Sequence, residues 1–201
     1  MKAHSEFIEA VDGEFIYWRY NPNTTLAQIE KWDRGKQFNF CLRQSGRCNH
    51  AVGKLHTRAI TFSQAKELVE DWHNHLKPPA GWKFGFALED DIGIVGVIIV
   101  GRPVARKLDD GSTMEITRCA LIGKGIKNAA SMMIGAACRT AQLQGYNRMI
   151  SYTLEDEDGA AYKAAGFHVD HISKGHKWNC KSRARSDEQP TCDKKRWVKN
   201  L

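Results

Sequence analysis

The sequence predicts an α+β fold, a mixed and mostly antiparallel sheet flanked by helices. Three observations carry that expectation. Trp82–Leu88, Ile92–Val100 and Thr113–Ile122 are short apolar or alternating runs, separated by the turn residues Asp90-Asp91 and Leu108-Asp109-Asp110-Gly111. A long helical stretch, another strand-like run and a short helix then follow, up to Phe167. Strands in series before a helix–strand–helix unit indicate helices layered on a sheet. Third, with 42% hydrophobic and 26% charged residues, a chain of 201 residues has apolar surface enough for a sizeable core. Its longest apolar run, Ile92–Val100, is interrupted by glycine and too short to cross a bilayer. The opening MKAHSEFIEAVDGEF has early acids and no apolar stretch of a secretory signal, which predicts the cytoplasm.

Taken in order, residues 1–54 read as an N-terminal extension or small subdomain. Phe15–Trp18 has the look of a strand. Asn23-Thr24-Thr25 precedes a helical run from Leu26 to Trp32, and Phe38–Leu42 alternates like a strand before the turn Gln44–Arg47. Residues 55–170 read as the core. Leu55–Thr61 is its first strand, and Ser63 is the expected N-cap of a helix over Gln64–Leu76. Ala65, Leu68, Val69, Trp72 and Leu76 form the apolar stripe of that helix, and Pro78-Pro79 stops it. Gly93 and Gly96, inside the buried strand, mark a bulge or a close backbone approach.

The stretch Thr113–Phe167 organises the rest. It reads TMEITRCALI, GKGIKNAAS, MMIGAACRTAQLQGY, NRMISYTL and EDEDGAAYKAAGF: strand, glycine- and lysine-bearing loop, long helix, strand, short helix. The first amides of a helix lack partners and carry the positive end of its dipole, so a loop delivering an anion there makes a phosphate seat. Lys124 and Lys127 add full charges. Residues 123–131 are therefore expected to hold a pyrophosphate, with Gly123, Lys124, Gly125, Lys127, Asn128 and Ser131 as its contacts.

This order of parts resembles the GNAT family of acyl-CoA N-acyltransferases over residues 55–170. Gly123 and Gly125 match the glycines of the family's Q/R-x-x-G-x-G/A loop, and Ala161-Tyr162-Lys163-Ala164-Ala165-Gly166-Phe167 is similar to its closing Tyr-x-x-x-Gly-Phe turn. Ala120 stands where Gln or Arg is usual, and Lys127 where a further glycine often occurs. Within the family the chain looks closest to a phage and prophage branch, on Pro78-Pro79, the run Gly96–Arg106, Glu115–Arg118, Asn128–Ser131 and Tyr152–Leu154. That branch is distantly similar to the Mom-type enzymes that modify DNA adenine.

The resemblance implies acetyl-CoA or another acyl-CoA as cosubstrate and an amine as acceptor. Acyl transfer requires a deprotonated amine, a stabilised oxyanion and a protonated leaving thiolate. Glu115 is implied as general base, with an ion pair to Arg118 or Arg102 as its structural alternative. Tyr162 is implied as the acid for the thiolate, or as a packing residue of its turn, and Tyr152 is its substitute or a sheet-edge aromatic. His73 and His75 lie where the fold places its acceptor, as proton shuttles or as helix-end cations. Arg102, Arg106 and Arg118 are candidate substrate contacts, since a guanidinium fork suits phosphate or carboxylate.

Charge is concentrated at the C-terminal end. Residues 171–201 hold nine Lys and Arg against three Asp and Glu, a net +6 of the chain's +7. Trp178 and Trp197 interleave with Lys181, Arg183, Arg185, Lys194, Lys195 and Arg196. This basic tail suits a nucleic-acid backbone with exposed bases, or is a solvated segment whose tryptophans dock on the core. Cys41, Cys48, His50, Cys180 and Cys192 match no standard zinc spacing, so no metal is expected. Three functions remain open: an N-acyltransferase acting on a free amine or on a DNA or RNA base; a Mom-like nucleobase modification using a ligand other than acetyl-CoA; and an inactive module of the same shape that binds nucleic acid.

Overall fold

The computed structural model describes residues 6–9, 15–18, 51, 53–72, 77–91, 93–122, 126–175 and 192–201, the first two segments as backbone. β1 (Glu6–Glu9) and β2 (Phe15–Trp18) pair antiparallel in a two-stranded sheet of their own. The expected helix at Leu26–Trp32 and strand at Phe38–Leu42 lie outside the described residues.

The core is a seven-stranded sheet built from β3 (His56–Ala59), β4 (Phe84–Glu89), β5 (Ile94–Gly101), β6 (Thr113–Leu121), β7 (Arg148–Leu154), β8 (His168–Ser173) and β9 (Lys194–Asn200). Its order is β3-β4-β5-β6-β7-β9-β8, with β6 and β7 parallel and every other pair antiparallel. The α+β expectation is met, and the turns at Asp90-Asp91 and Leu108–Gly111 fall between strands as expected. β5 is buried along its whole length, as a strand without a polar side chain and covered on both faces should be.

Helices cover the two faces. α1 (Phe62–Trp72) packs Ala65, Leu68 and Val69 onto Ala87, Val97, Ile99 and Ala120. Its cap is Thr61 rather than the expected Ser63. The Thr61 amide donates to the Gln64 side chain at 2.9 Å and the Gln64 amide to Thr61 Oγ1 at 3.3 Å, a reciprocal capping box that starts the helix two residues earlier. α2 (Ala129–Leu143) lies on the opposite face, burying Met133, Ile134, Ala137, Cys138 and Ala141 against Ile98, Met114, Ile116 and Met149. Gly96 lets it approach: a Cβ there would sit 2.7 Å from Met133 Cε and 2.8 Å from Leu121 Cδ2. α3 (Ala160–Ala164) follows β7 and leads through Gly166-Phe167 into β8.

The main departure from the sequence reading is at the C-terminal end. The tail assigned to residues 171–201 contains half of β8 and all of β9, and β9 is an interior strand that separates β7 from β8. Trp197 is 2% exposed, so its ring is a core element and offers no stacking surface to a base. Its indole presses on Gly159, which has φ 64°, and a Cβ at Gly159 would fall 1.9 Å from the indole carbon Cζ2. Gly159→Ala should therefore cost roughly 2–4 kcal/mol, combining a left-handed backbone with overpacking. Gly111 also has positive φ but has nothing within 4 Å of a Cβ. Thermal melts should drop by about 5–10 °C for Gly159→Ala and clearly less for Gly111→Ala.

Candidate active site

The site begins where two parallel strands separate. β6 and β7 pair from Thr113↔Arg148 to Ile116↔Ser151 and no further. At that point β6 changes register against β5: Ile99 pairs with Arg118 but Val100 with Ile116, so Thr117 is an extra residue. Such a bulge bends its strand and swings it away from a neighbour. The carbonyls freed there are met by side chains, as buried backbone oxygens require. Ser151 Oγ donates to the Ile116 carbonyl at 2.9 Å, and Thr117 Oγ1 donates to the Ile99 carbonyl at 3.2 Å. Beyond this point the parted strands and the start of α2 enclose a cleft of about 250 Å³, lined by Ile116, Cys119, Ala130, Ile134, Ser151 and Tyr162 among others.

One end of the cleft is the α2 N-terminus. Ile126 and Asn128 form the turn before it, with the Ala129 amide bonded to the Ile126 carbonyl at 3.0 Å. Asn128 adopts φ 65°, a left-handed conformation that asparagine tolerates better than most residues, and its carbonyl accepts both the Met132 amide and Ser131 Oγ at 3.0 Å. Lys127 is exposed beside this turn. Gly123, Lys124 and Gly125 lie outside the described residues.

Tyr162 enters the cleft from α3, with its hydroxyl 2.7 Å from Ser151 Oγ. Ser151 spends its single proton on Ile116, so Tyr162 is the donor in that contact. Burial holds the Tyr162 hydroxyl above the ordinary tyrosine range, with the Ser151 hydrogen bond opposing, so the phenol is neutral and carries a proton to give. Cys119, also in the wall, is a thiol that burial pushes up to about 12, which keeps it neutral and unreactive.

Glu115 lies one residue before the parting, is 5% exposed, and accepts the Val104 amide at 2.9 Å. Alternation along β6 sends Met114 and Ile116 into the α2-side core, placing Glu115 on the other face. Burial raises its carboxyl above the usual carboxylate range, while the Val104 amide and the Arg118 charge oppose. Tyr152 follows Ser151 and is therefore also on the Glu115 face; burial, then the Glu115 charge, raises its hydroxyl.

Arg118 and Arg102 are engaged. Arg118 spans from β6 to the Lys77 carbonyl, with Nε at 2.8 Å, and so ties the segment after α1 to the sheet. Arg102 pairs with Asp109 on the surface. Arg106 is exposed in the 3-10 turn Arg106–Leu108. Arg196 makes a two-pronged pair with Asp170 at 2.7 and 2.9 Å, Lys195 Nζ bonds the Glu157 carbonyl at 3.0 Å, and Lys194 lines the cleft. His73, His75, Trp178, Lys181, Arg183 and Arg185 lie outside the described residues, as do Cys41, Cys48, His50 and Cys180. Among the described residues no group of three or more His, Cys, Asp or Glu could hold a metal ion, and no helix is long and apolar enough to cross a membrane.

The family model for the Mom protein family matches residues 54–198, more than half of the chain. The chain belongs to the Mom protein family. The fold of this Mom-family chain is that of the GNAT acyltransferases. It is similar to the IAA acetyltransferase from Bacillus cereus, at 16% identity over 74% of this chain and 100% of that one, with TM-score 0.54. It is also similar to Naa50 of Arabidopsis thaliana in complex with the bisubstrate analogue CoA-Ac-MVNAL, at 13% identity over 73% and 99% of the two chains, TM-score 0.53. A third neighbour is yncA from Salmonella typhimurium with its cofactor acetyl-CoA, at 13% identity over 73% and 94%, TM-score 0.53. No curated protein matches the chain in sequence.

Sequence reasoning singled out Glu115, Tyr162 and Tyr152, which lie around the parting on its two faces, but missed Ser151 and Thr117. The one available signal for Ser151 was a hydroxyl among the apolar residues of Met149–Tyr152. Because the folded carboxyl of Glu115 ionises above its unfolded value, its ionised form is disfavoured in the fold, and stability falls as pH rises through that window. Glu115→Gln keeps an acceptor for Val104 and removes the charge. Scanning fluorimetry should show it at least as stable as the parent at neutral pH, with the difference closing as the pH drops below the carboxylate range.

Proposed function

We propose that the chain transfers an acyl group from an acyl-CoA thioester to an amine, with the thioester in the parting between β6 and β7. The observation that carries this reading is the placement of Tyr162 and Glu115 on opposite faces of the sheet at that parting. The acyl-CoA is the substrate, and its fit is supported by three features: a cleft lined by strand edges without partners, a helix N-terminus at one end, and Lys127 beside it.

The amine nitrogen attacks the thioester carbon from the Glu115 face, forming the C–N bond. Glu115, poised above the ordinary carboxylate range, accepts the proton that the attacking nitrogen sheds. Amides of β6 that no longer face a strand are donors for the developing oxyanion. The C–S bond then breaks, and Tyr162 gives its proton to the leaving thiolate, turning from Ser151 to do so. Tyr152 lines the acceptor side.

The acceptor is an exocyclic amine on a DNA or RNA base, a reading supported by membership of the Mom family together with the resemblance to adenine-modifying enzymes. Lys181, Arg183 and Arg185, with Trp178, are the residues proposed to hold the nucleic acid, because Lys195 and Arg196 already serve the sheet. Lys127 in place of a loop glycine favours a second reading, in which the cosubstrate is a related phosphorylated donor other than acetyl-CoA.

Calorimetry should show acetyl-CoA binding to the parent, weakened at least several-fold by Lys127→Glu, which sets an anion at the phosphate seat. Glu115→Gln should lower turnover by roughly 10²–10⁴ with little change in thioester affinity. Reversal of charge at Lys181, Arg183 and Arg185 should weaken nucleic-acid binding and flatten its salt dependence while sparing thioester binding. A parent chain that binds neither acetyl-CoA nor another CoA thioester removes the reading.

A further inference from the structure

We propose that Trp197 is a positioning residue: from the interior strand β9 it sets the Tyr162 ring so that the hydroxyl stands at the apex of the β6–β7 parting. The inference rests on the acyl-transfer reading for its kinetic consequence, and on geometry alone for the placement.

Tyr162 sits on α3, a helix of five residues, which is too short to hold a side chain rigidly by its own backbone. Its ring is fixed from three sides. Trp197 stacks on it with centroids 5.7 Å apart and planes 15° from parallel, Phe167 meets it edge-on at 5.5 Å, and Ser151 takes its hydroxyl. The indole is itself fixed: Nε1 donates to Thr153 Oγ1 at 3.0 Å, and the bare backbone of Gly159 lies under the far edge of the ring. Thr153 is on β7, two residues from Ser151. The strand that accepts the Tyr162 hydrogen bond therefore also anchors the ring that holds Tyr162. Both ends of α3 are tied to β9 as well, Lys195 Nζ to the Glu157 carbonyl before it and Lys199 Nζ to the Ala165 carbonyl after it, at 3.0 and 2.6 Å.

For a tyrosine to protonate a leaving thiolate, its oxygen must lie within hydrogen-bond reach of the sulfur when the C–S bond breaks. A ring free to tilt by an ångström loses most of that benefit while the thioester still binds. Loss of Trp197 should accordingly act on departure of the leaving group and not on affinity.

The test uses Trp197→Leu and Thr153→Val in the full chain, the second leaving the aromatic stack in place and removing only the indole anchor. Thiol release is followed with mixed-sequence DNA as acceptor and two acetyl donors, acetyl-CoA and the acetyl thioester of 4-nitrothiophenol, whose thiolate leaves without a proton. With acetyl-CoA, kcat should fall roughly tenfold or more for Trp197→Leu and by a few-fold for Thr153→Val, with KM within about twofold. With the nitrothiophenyl donor both losses should shrink to about twofold or less. Equal loss with both donors, or no loss, overturns the proposal, and if Trp197→Leu does not fold, Thr153→Val decides by the same criterion. Should the parent transfer no acyl group, the acyl-transfer reading fails by itself, and ¹³C spectra of tyrosine-labelled protein decide the placement. The Tyr162 ring signal, assigned by its loss in Tyr162→Phe, should then move toward the position of free tyrosine in both variants; an unmoved signal overturns the proposal.

Discussion

Everything at the candidate site depends on one extra residue in β6. Thr117 has no place in the ladder with β5, so the strand bends there, and the parallel pairing with β7 ends at Ile116↔Ser151. A parallel sheet interior is ordinarily closed, since each strand edge seeks a partner. Here the two edges face a cleft instead, and hydroxyls of Ser151 and Thr117 satisfy the carbonyls that the bend releases. A single insertion thus opens a cleft in the sheet while leaving the remaining pairings intact.

The faces of the sheet then acquire different chemistry. The α2 face is apolar and carries the neutral phenol of Tyr162, packed among Trp197 and Phe167. The α1 face carries Glu115 and Tyr152, whose ionisations burial pushes upward. In the proposed reaction the group that takes a proton and the group that gives one stand on opposite faces of the sheet, and the parting lies between them. The same low-dielectric surroundings that raise both groups would be costly to a fully ionised pair.

Much of this was legible in the sequence for physical reasons. The apolar run of β5, the stripe of α1 and the strand–loop–helix order around Thr113–Phe167 are period and turn signals that no tertiary contact overrides. Glu115 and Tyr162 were singled out through the family resemblance of their segments, and the structure sets both beside the parting. β8 and β9 were not legible. Lys194-Lys195-Arg196 reads as a solvated charge run, yet all three are half-buried: Lys195 bonds the Glu157 carbonyl, Arg196 pairs with Asp170, and Lys194 lines the cleft. In β8 the register shift between Val169 and His171 breaks the alternation that would have revealed a strand. Trp197 consequently read either as a stacking residue of a tail or as a ring docked on the core, and it is the second, with Tyr162 as its partner. The Thr117 bulge has no signature at all, because it depends on register between two strands rather than on local preference.

Hydrogen exchange with and without acetyl-CoA tests the central claim most directly. If the thioester lies in the parting, added acetyl-CoA should slow exchange at the β6 amides from Thr117 to Leu121 and at Ala130 and Ser131, and leave β3 and β4 unchanged. Binding without slowed exchange in β6, or slowing confined to other strands, would contradict the assignment of this cleft.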